Sequence, residues 1–467
     1  MKMLLVITIA VMLLIPVSSI GITEHYNGEW NRVLGGTGVE RAERIIATAD
    51  GYVIIGYAKV SGKEDFDGWA VKVDKQGNEM WSKNYGGKDE DILNDILATE
   101  DGYLLVGYTL SYGGKNAGFW LLSIDEYGNE RWNKTYESKD TCYAHDIVGA
   151  GNGCIIVGTK GSWYDKNIWA VKIDKNGKEV WNRTYRAGED CYCIGKTADG
   201  YLIGGELSNC ACLIKIAEQG DIDWVRVYSE VYDIFDIVVE EDGYALLGTS
   251  PLTLIKTDLH GNKLWERNYG WGNWGRAMTH TPDGYTIVGE TDRYGIGSSD
   301  VWLFKLDSEG NECWNKSFGS RGSECAVDVL YLDNSYVILA NIQEGWDAWL
   351  IKCEDYTPPS IAINKPKEGY LYLFDREICP STKAIAIGGI TIIAGADDPF
   401  DKIDRVEFYA TREGMLEQEL YTIDYNPPYE WQLDKATAGI YDITVGAYYG
   451  NAGAVCIDKI SVLMFNL

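Results

Sequence analysis

The sequence is poor in basic residues and in histidine. Lys and Arg number 42 against 70 Asp and Glu, which gives a net charge of −28 and a pI near 4.5. This balance argues against nucleic acid and anionic membrane surfaces as partners, because both require a basic footprint. The four histidines stand in no spaced motif, and no G-x-S-x-G, H-E-x-x-H or P-loop pattern occurs. No catalytic site is therefore predicted.

Long apolar runs are also scarce. The one that stands out, MLLVITIAVMLLIPV (3–17), follows Lys2 and precedes two serines, so residues 1–21 are predicted to be a signal peptide. An uncleaved signal anchor is the alternative, since the run approaches the lower spanning limit of roughly 17 residues. The sequence thus predicts a secreted or cell-surface protein that would meet the membrane only through such an anchor.

What the sequence does contain is a repeat. In each unit an Asp-Gly-Tyr turn, or a degenerate copy of it, is followed by an apolar second strand. A third strand beginning near a Trp, a D-x-x-G-N-like turn and a further Trp complete the unit. The turns begin at Asp50, Asp101, Asn152, Asp199, Asp242, Asp283 and Asn334. The spacings of 41 to 51 residues, with four short strands per unit, are typical of propeller blades. The continuously apolar second strands predict burial on both faces.

The two ends of the repeat complete each other. The last unit stops after its third strand, WLIKCE (349–354), and the missing fourth strand is found at the start as WNRVLGG (30–36). Pairing these segments would remove two exposed sheet edges. The sequence therefore predicts an all-β chain whose residues 22–354 form a seven-bladed β-propeller closed by its N-terminal strand.

The repeat ends before a Pro-containing linker, residues 355–360. Residues 361–467 change to short strands separated by turns, at 360–364, 370–375, 387–396, 405–411, 419–424, 441–449 and 455–465. Seven such strands in about a hundred residues predict an Ig-like β-sandwich.

The segments ADDPFDKIDRVEFYATREG (396–414), NPPYEWQLD (426–434) and IYDITVGAYYGNAGA (440–454) resemble the Ig-like modules of archaeal and bacterial cell-surface proteins. The repeat is similar to the secreted β-propeller repeats of the same organisms. These resemblances imply a non-catalytic recognition or structural protein. The D-x-x-G-N-x-x-W element is also similar to the quinoprotein (PQQ-like) repeat, so the alternative is a propeller enzyme, quinoprotein-like or glycan-active, with carboxylates at the channel mouth.

Aromatic residues outside the repeated positions are predicted to bind a glycan or a protein partner on the face with the variable loops. They are Trp163, Tyr164, Trp271, Trp274, Tyr112 and Trp346. Local packing at blade edges is the alternative for all six.

Acidic residues recur at two positions of the first strand of each unit. Glu40, Asp91, Glu189 and Glu324 are the candidate Ca²⁺ ligands at the channel mouth, and Ca²⁺ is the one cofactor considered. Asp95, Asp146, Asp236 and Asp328 are predicted instead to accept hydrogen bonds from neighbouring backbone N–H groups.

Two kinds of covalent modification are predicted from local patterns. Asn133, Asn182 and Asn315 begin N-glycosylation sequons, although the repeat alone would generate all three. Of the 11 cysteines, Cys379 and Cys456 lie in the last domain and are the candidate disulfide.

Overall fold

A computed structural model describes residues 29–36, 38–59, 62–162, 165–249, 251–270, 272–292, 298–320, 322–343, 347–355, 360–397, 403, 405–412, 419–433, 438–448 and 454–465, without the side chains of 360, 397, 419–421, 448 and 454–458. The predicted signal peptide lies outside these residues. The chain divides into two compact units between residues 355 and 356. The described residues contain strands and turns but no helix, so the all-β prediction is confirmed. In this part of the chain no helix long and apolar enough to cross a membrane occurs.

The first unit opens with β1 (Trp30–Leu34) and continues as four-stranded antiparallel sheets, numbered 1 to 7 along the chain. Sheets 1 to 3 comprise β2 (Val39–Ala47), β3 (Gly51–Lys59), β4 (Asp67–Asp74) and β5 (Glu79–Tyr85); β6 (Asp91–Thr99), β7 (Gly102–Thr109), β8 (Gly118–Ile124) and β9 (Glu130–Tyr136); and β10 (Cys142–Gly149), β11 (Gly153–Ser162), β12 (Asp165–Asp174) and β13 (Glu179–Tyr185).

The next three sheets follow the same order. Sheets 4 to 6 comprise β14 (Asp190–Lys196), β15 (Tyr201–Leu207), β16 (Cys210–Ile216) and β17 (Ile222–Tyr228); β18 (Asp236–Val239), β19 (Gly243–Thr249), β20 (Leu252–Asp258) and β21 (Lys263–Asn268); and β22 (Asn273–Thr281), β23 (Gly284–Thr291), β24 (Asp300–Asp307) and β25 (Glu312–Phe318).

Sheet 7 joins the two ends of the repeat. It contains β26 (Glu324–Leu332), β27 (Ser335–Ile342) and β28 (Asp347–Glu354), and β1 is its fourth strand. In the register of this pair, Val33 lies opposite Trp349. The prediction that the N-terminal strand completes the last sheet is therefore confirmed.

The seven sheets follow one another in a closed series. A separate cluster of buried side chains lies between each pair of neighbouring sheets, and one of these clusters joins sheet 7 to sheet 1. The first strand of every sheet also contacts the first strand of the next, including β26 with β2. In β3, Tyr52 and Ile54 pack toward sheet 7, whereas Val53 and Ile55 pack toward sheet 2. This explains why the central parts of the second strands are mostly apolar on both faces.

The outer ends of the sheets are joined by the residues that define the repeat. The glycine of each D-x-x-G turn packs on the Trp of the preceding unit; at Gly128, with φ of 77°, a side chain would meet the Trp81 ring at 2.9 Å. The tyrosine that ends a fourth strand donates its hydroxyl hydrogen bond to the carbonyl of the same glycine, as Tyr85 does to Gly128 at 2.7 Å. The same bond is made by Tyr136, Tyr185, Tyr228 and Tyr269.

The second unit has two sheets around one core. One sheet consists of β29 (Ser360–Lys365), β33 (Ile390–Asp397) and β36 (Tyr429–Leu433). The other has the order β31 (Arg376–Pro380), β30 (Tyr370–Leu373), β32 (Ala384–Ile387), β38 (Ala454–Phe465), β37 (Gly439–Tyr448), β34 (Arg405–Arg412) and β35 (Glu419–Asp424).

The register of the larger sheet contradicts the predicted disulfide between Cys379 and Cys456. Strands β30 and β32 lie between β31 and β38, and Cys379 aligns through them with Leu463 rather than with Cys456. The three inter-strand steps amount to about 14 Å, which exceeds the Cα separation that a disulfide spans. Cys379 is an exposed free thiol, so this prediction was wrong.

Candidate functional site

The first strands of the seven sheets carry an equivalent position six residues before each turn. This position is occupied by Arg44, Asp95, Asp146, Cys193, Asp236, Ala277 and Asp328. Each of the four aspartates accepts a hydrogen bond from a backbone N–H in the first strand of the next sheet: Asp95 from Ile147, Asp146 from Ile194, Asp236 from Met278 and Asp328 from Ile45, at 2.7 to 2.9 Å. The prediction that these aspartates bond neighbouring backbone is confirmed.

Arg44 is the cation of this ring. Its Nε atom lies 3.0 Å from Oδ1 of Asp95, and one terminal nitrogen lies 3.8 Å from Oδ1 of Asp328. Burial opposes its charge, but Asp95, Asp328, Asp146 and Asp236 together hold the pKa of Arg44 well above its ordinary value. One guanidinium therefore offsets part of the charge of four converging carboxylates.

Burial makes the ring aspartates easier to protonate. Burial raises the pKa of Asp328 to about 6, and Arg44 only partly offsets this effect. Burial likewise raises the pKa of Asp236 and that of Asp146, to which neighbouring Asp95 adds. The ring is therefore sensitive to protonation in a range where exposed aspartates remain charged.

A second group of side chains precedes this ring by one residue. In six of the seven sheets the pairing of the first and second strands skips one residue, as β-bulges do, and the skipped residues are Glu43, Asn94, His145, Tyr192, Arg276 and Val327. Phe235 holds this position just before β18. Bulges re-aim side chains, and these seven come from strands that contact one another in series.

Five residues at or next to these bulges form what we call the central cluster: Arg41, Glu43, Tyr192, Phe235 and Arg276. Within this cluster, Tyr192 stacks on Phe235 with ring centroids 5.0 Å apart and planes inclined by 20°. The Arg276 guanidinium lies 5.7 Å from the Phe235 ring. On the other side, Nε of Arg41 lies 3.6 Å from Oε1 of Glu43.

The partial exposure of its charged side chains indicates that the central cluster lines a recess. Burial raises the pKa of Glu43, while Arg41, Arg276 and Arg44 act to lower it. Yet 28% of the Glu43 side chain and 27% of the Arg44 side chain remain exposed. A carboxyl group that is both desolvated and reachable by solvent is expected in a narrow concavity.

Aromatic residues flank the central cluster on neighbouring strands. Trp274 and Tyr143 are each 39% exposed. Trp274 pairs across β22 and β23 with Glu290, whose Oε1 lies 3.7 Å from a terminal nitrogen of Arg276. Tyr143 contacts Tyr108 edge to face, with ring centroids 4.8 Å apart.

The predicted aromatic ligand-binding residues have different outcomes. Trp163, Tyr164, Trp271 and Trp346 lie outside the described residues. Trp274 belongs to β22 rather than to a loop, and its ring is exposed. Tyr112 is half-buried, donates a hydrogen bond to the Gly86 carbonyl at 2.7 Å and lies beside Trp120. The structure therefore places Trp274 near the central cluster and gives Tyr112 local packing contacts.

The four predicted Ca²⁺ ligands are not brought together. Asp91 and Glu324 are buried and accept hydrogen bonds from the Gly87 N–H and from Ser320, while Glu189 accepts one from Ser208. Burial raises the pKa of Glu40. Among the residues that the structure describes, no three His, Cys, Asp or Glu side chains are grouped as a metal site requires. The four residues therefore do not form a common Ca²⁺ site in the described part of the chain.

The three sequon asparagines occupy equivalent places on fourth strands. Each donates its side-chain amide to the glutamate three residues earlier: Asn133 to Glu130, Asn182 to Glu179 and Asn315 to Glu312. Their glycosylation stays a prediction. The ten cysteines with described side chains are all free, and most are buried.

Comparisons with known proteins bear mainly on the second unit. Residues 379–445 match the bacterial Ig domain family. This supports the Ig-like domain predicted for the C-terminal part of the chain. The match covers a small part of the sequence, and no curated protein matches it.

Similar solved structures are distant. A protein of unknown function from Bacteroides caccae is 13% identical, with 57% of this chain and 94% of that chain covered and a TM-score of 0.37. Fibronectin(III)-like modules of Clostridium thermocellum CbhA are 17% identical, with 36% and 86% covered and a TM-score of 0.18. A Synechocystis apocarotenoid oxygenase mutant is 11% identical, with 60% and 62% covered and a TM-score of 0.31. None is close enough to inform the function of this chain.

Sequence reasoning missed the central cluster, although a signal for it was available. Aligning the seven units on their turns places Arg41 and Glu43 in the same two columns as Trp274 and Arg276. Arg41 and Arg276 are the only arginines in these two columns, which lie where the strands converge. The same alignment places Tyr192 and Phe235 in the column of Glu43 and Arg276, in two consecutive units, so it also marks the pair that stacks.

Proposed function

We propose that the chain is an exported, non-catalytic recognition protein in which a seven-bladed β-propeller presents a binding site and the Ig-like domain serves as an accessory module. The propeller interpretation is supported by the closed series of sheets and by β1 as the last strand of sheet 7. A bacterial Ig domain fits an exported structural or binding role, and such domains typically occur on extracellular or surface proteins.

The observation that carries the proposed site is the central cluster. The units differ from one another there, and stacked aromatic rings and ion pairs lie in a partly exposed recess. Aromatic and arginine side chains are the residue types that contribute most to binding interfaces. Binding of a glycan or a protein partner over the central cluster, with Trp274 and Tyr143 at its edge, is the function that this geometry supports best.

A non-catalytic role agrees with how the charged groups are used. Arg44 faces Asp95 and Asp328, Arg41 lies beside Glu43, and the four ring aspartates accept backbone hydrogen bonds. These interactions fix the sheets to one another. Groups held this way suit a rigid binding surface better than proton transfer.

The test compares the full chain with a Tyr143→Ala/Trp274→Ala variant on an array carrying glycans and peptides. Both rings are well exposed, so the variant is expected to melt close to the parent chain. Loss of the array signals in this variant, with a matched Tyr127→Ala control unaffected, would support the site. Equal binding by the parent chain and the Tyr143→Ala/Trp274→Ala variant would contradict the proposed site.

A further inference from the structure

The two arginines of the central cluster are balanced by Glu43 within the cluster and by Glu290 beside it. Arg41 lies 3.6 Å from Glu43 and Arg276 lies 3.7 Å from Glu290, so each cation near the recess has a carboxylate beside it. Arg44, below them, faces Asp95 and Asp328. The recess therefore offers no surplus positive charge, and the net charge of −28 disfavours an anionic ligand further.

The same ion pairs present hydrogen-bonding groups to a neutral ligand. Their nitrogen–oxygen separations are longer than the 2.7–2.9 Å of a tight charge-assisted hydrogen bond. A guanidinium has five N–H donors and a carboxylate has two acceptor oxygens, so each can also engage a hydroxyl, which both donates and accepts. Vicinal hydroxyl groups match such donor–acceptor pairs without adding charge to the recess.

The aromatic rings supply the complementary apolar surface. Phe235 is occupied by Tyr192 at 5.0 Å and by the guanidinium of Arg276 at 5.7 Å, so it acts as a support. Trp274 and Tyr143 are each 39% exposed, so both have ring surface available to a ligand. Flat apolar surfaces beside paired hydrogen-bonding groups suit the C–H faces and hydroxyl edges of a sugar ring.

Resting on the proposed function, we infer that the ligand of the central cluster is a neutral oligosaccharide, with a sugar ring stacked on Trp274 or Tyr143 and its hydroxyls bound by the Arg41–Glu43 and Arg276–Glu290 pairs. An acidic glycan would require one carboxylate of these pairs to be displaced. A peptide would not need the paired donors and acceptors.

The test is calorimetric titration of the full chain with named probes: cellopentaose, mannopentaose and N-acetylchitopentaose as neutral sugars, pentagalacturonate as an acidic one, and a capped proline-rich decapeptide. We expect at least one neutral sugar to bind with an affinity that changes little with salt, because no net charge is neutralised. Trp274→Ala should weaken its binding by roughly tenfold or more, the effect typical of an exposed aromatic anchor. Arg276→Gln should weaken it to a similar extent.

Controls separate binding from folding and separate the two proposals. Tyr127→Ala removes an aromatic ring that is 63% exposed in a D-x-x-G turn and should leave affinity unchanged. Thermal melting of each variant identifies losses caused by unfolding, and Phe235→Leu tests the support while keeping an apolar side chain. Binding of pentagalacturonate or the decapeptide that is lost in Trp274→Ala would overturn the neutral-sugar inference but retain the site. Failure of every neutral probe to bind the parent chain would also overturn the inference.

Discussion

Neighbouring sheets of the first unit are joined both at their first strands and at their fourth strands, and the two junctions use different chemistry. At the first strands, buried aspartates accept backbone hydrogen bonds across the junction around the single guanidinium of Arg44. At the fourth strands, neutral tyrosine hydroxyls donate to glycine carbonyls beside tryptophan rings. The inner junction depends on charge balance, whereas the outer junction repeats one neutral contact.

The difference shows what repetition can and cannot supply. The outer contact recurs in five sheets with nearly identical distances, so the loss of one copy leaves four others in place. The inner ring has one arginine for four aspartates, and no second residue duplicates its role at that position. We therefore expect substitutions of the inner ring to be more damaging than substitutions of the outer contacts.

The largest effect is expected for Arg44→Met. Removing the guanidinium leaves the converging aspartates uncompensated, and breaking such a buried pair typically costs about 3–5 kcal/mol. Chemical denaturation should show this loss, while the matched Arg183→Met variant, in which a guanidinium lies over Trp181, should lose less than about 1 kcal/mol. Equal losses in the two variants would contradict the distinction between inner and outer junctions.

A smaller loss is expected for Asp95→Ala. The substitution removes the Asp95 carboxylate from Arg44 and from the Ile147 N–H, which keeps Asp146 as a second acceptor. Hydrogen bonds to charged groups contribute about 1.5–3 kcal/mol. The comparison is Tyr136→Phe, which removes a single neutral bond to Gly177 at an expected cost of about 1 kcal/mol. A larger loss in Tyr136→Phe would reverse the proposed ranking. Both values come from urea denaturation.

The pH dependence of the free energy of unfolding should differ in sign between the ring aspartates and the turn aspartates. The pKa of Asp328 is raised to about 6 in the folded chain, above its ordinary value of 3.8, so the folded state binds more protons between these values. Asp328 therefore makes unfolding less favourable as the pH falls through about 6. Hydrogen bonds from Asn129 lower the pKa of Asp125 in a turn, so its contribution is present above pH 3.8 and is lost at lower pH.

The measurement is the difference in free energy of unfolding between the parent chain and Asp328→Asn at several pH values. We expect the parent chain to gain stability relative to the variant as the pH falls from about 7 to about 4. Comparison by difference removes the opposing effect of His145, whose pKa burial lowers to about 4. Asp125→Asn should show no such relative gain in this range. A constant difference for Asp328→Asn would show that this residue does not titrate as described.

The smallest effect is expected for Trp274→Ala. Its ring is 39% exposed, so its removal should change the melting temperature only slightly. The contrasting variant is Trp302→Ala, since that ring is 2% exposed and stacks on Phe304, and its loss should cost roughly 3–5 kcal/mol. Similar melting temperatures for the two variants would mean that exposure does not separate the site from the core.

Sequence patterns predicted the features that repeat. The turns, the apolar second strands, the closing position of β1 and the backbone-bonding aspartates all follow from one unit being copied and from polar groups needing partners. The strand predicted over 387–396 was wrong in detail, because Gly388, with φ of 83°, separates β32 from β33. Strand β31 was missed since all its residues are exposed and no alternating pattern marks it.

The candidate site was harder to predict because it consists of exceptions. Trp274 is predicted to lie on the face with the variable loops because it stands outside the repeated positions, yet it pairs with Glu290 inside β22. Tyr112 appeared equally free but is bonded to Gly86. Tyr192, Phe235 and Arg276 hold one equivalent position in three consecutive units, and the convergence of the first strands brings the three together.

The closing strand has a consequence for synthesis on the ribosome. Asn31 of β1 and Trp349 of β28 touch although 318 residues separate them, so β1 leaves the ribosome long before its partner exists. Until then β1 carries an unpaired strand edge, with Val33 about half exposed even in the folded chain. The nascent chain can assemble sheets 1 to 6 in order, but sheet 7 must wait for β28. The closed series of sheets can therefore be completed only after the chain has left the ribosome up to the boundary between the two units.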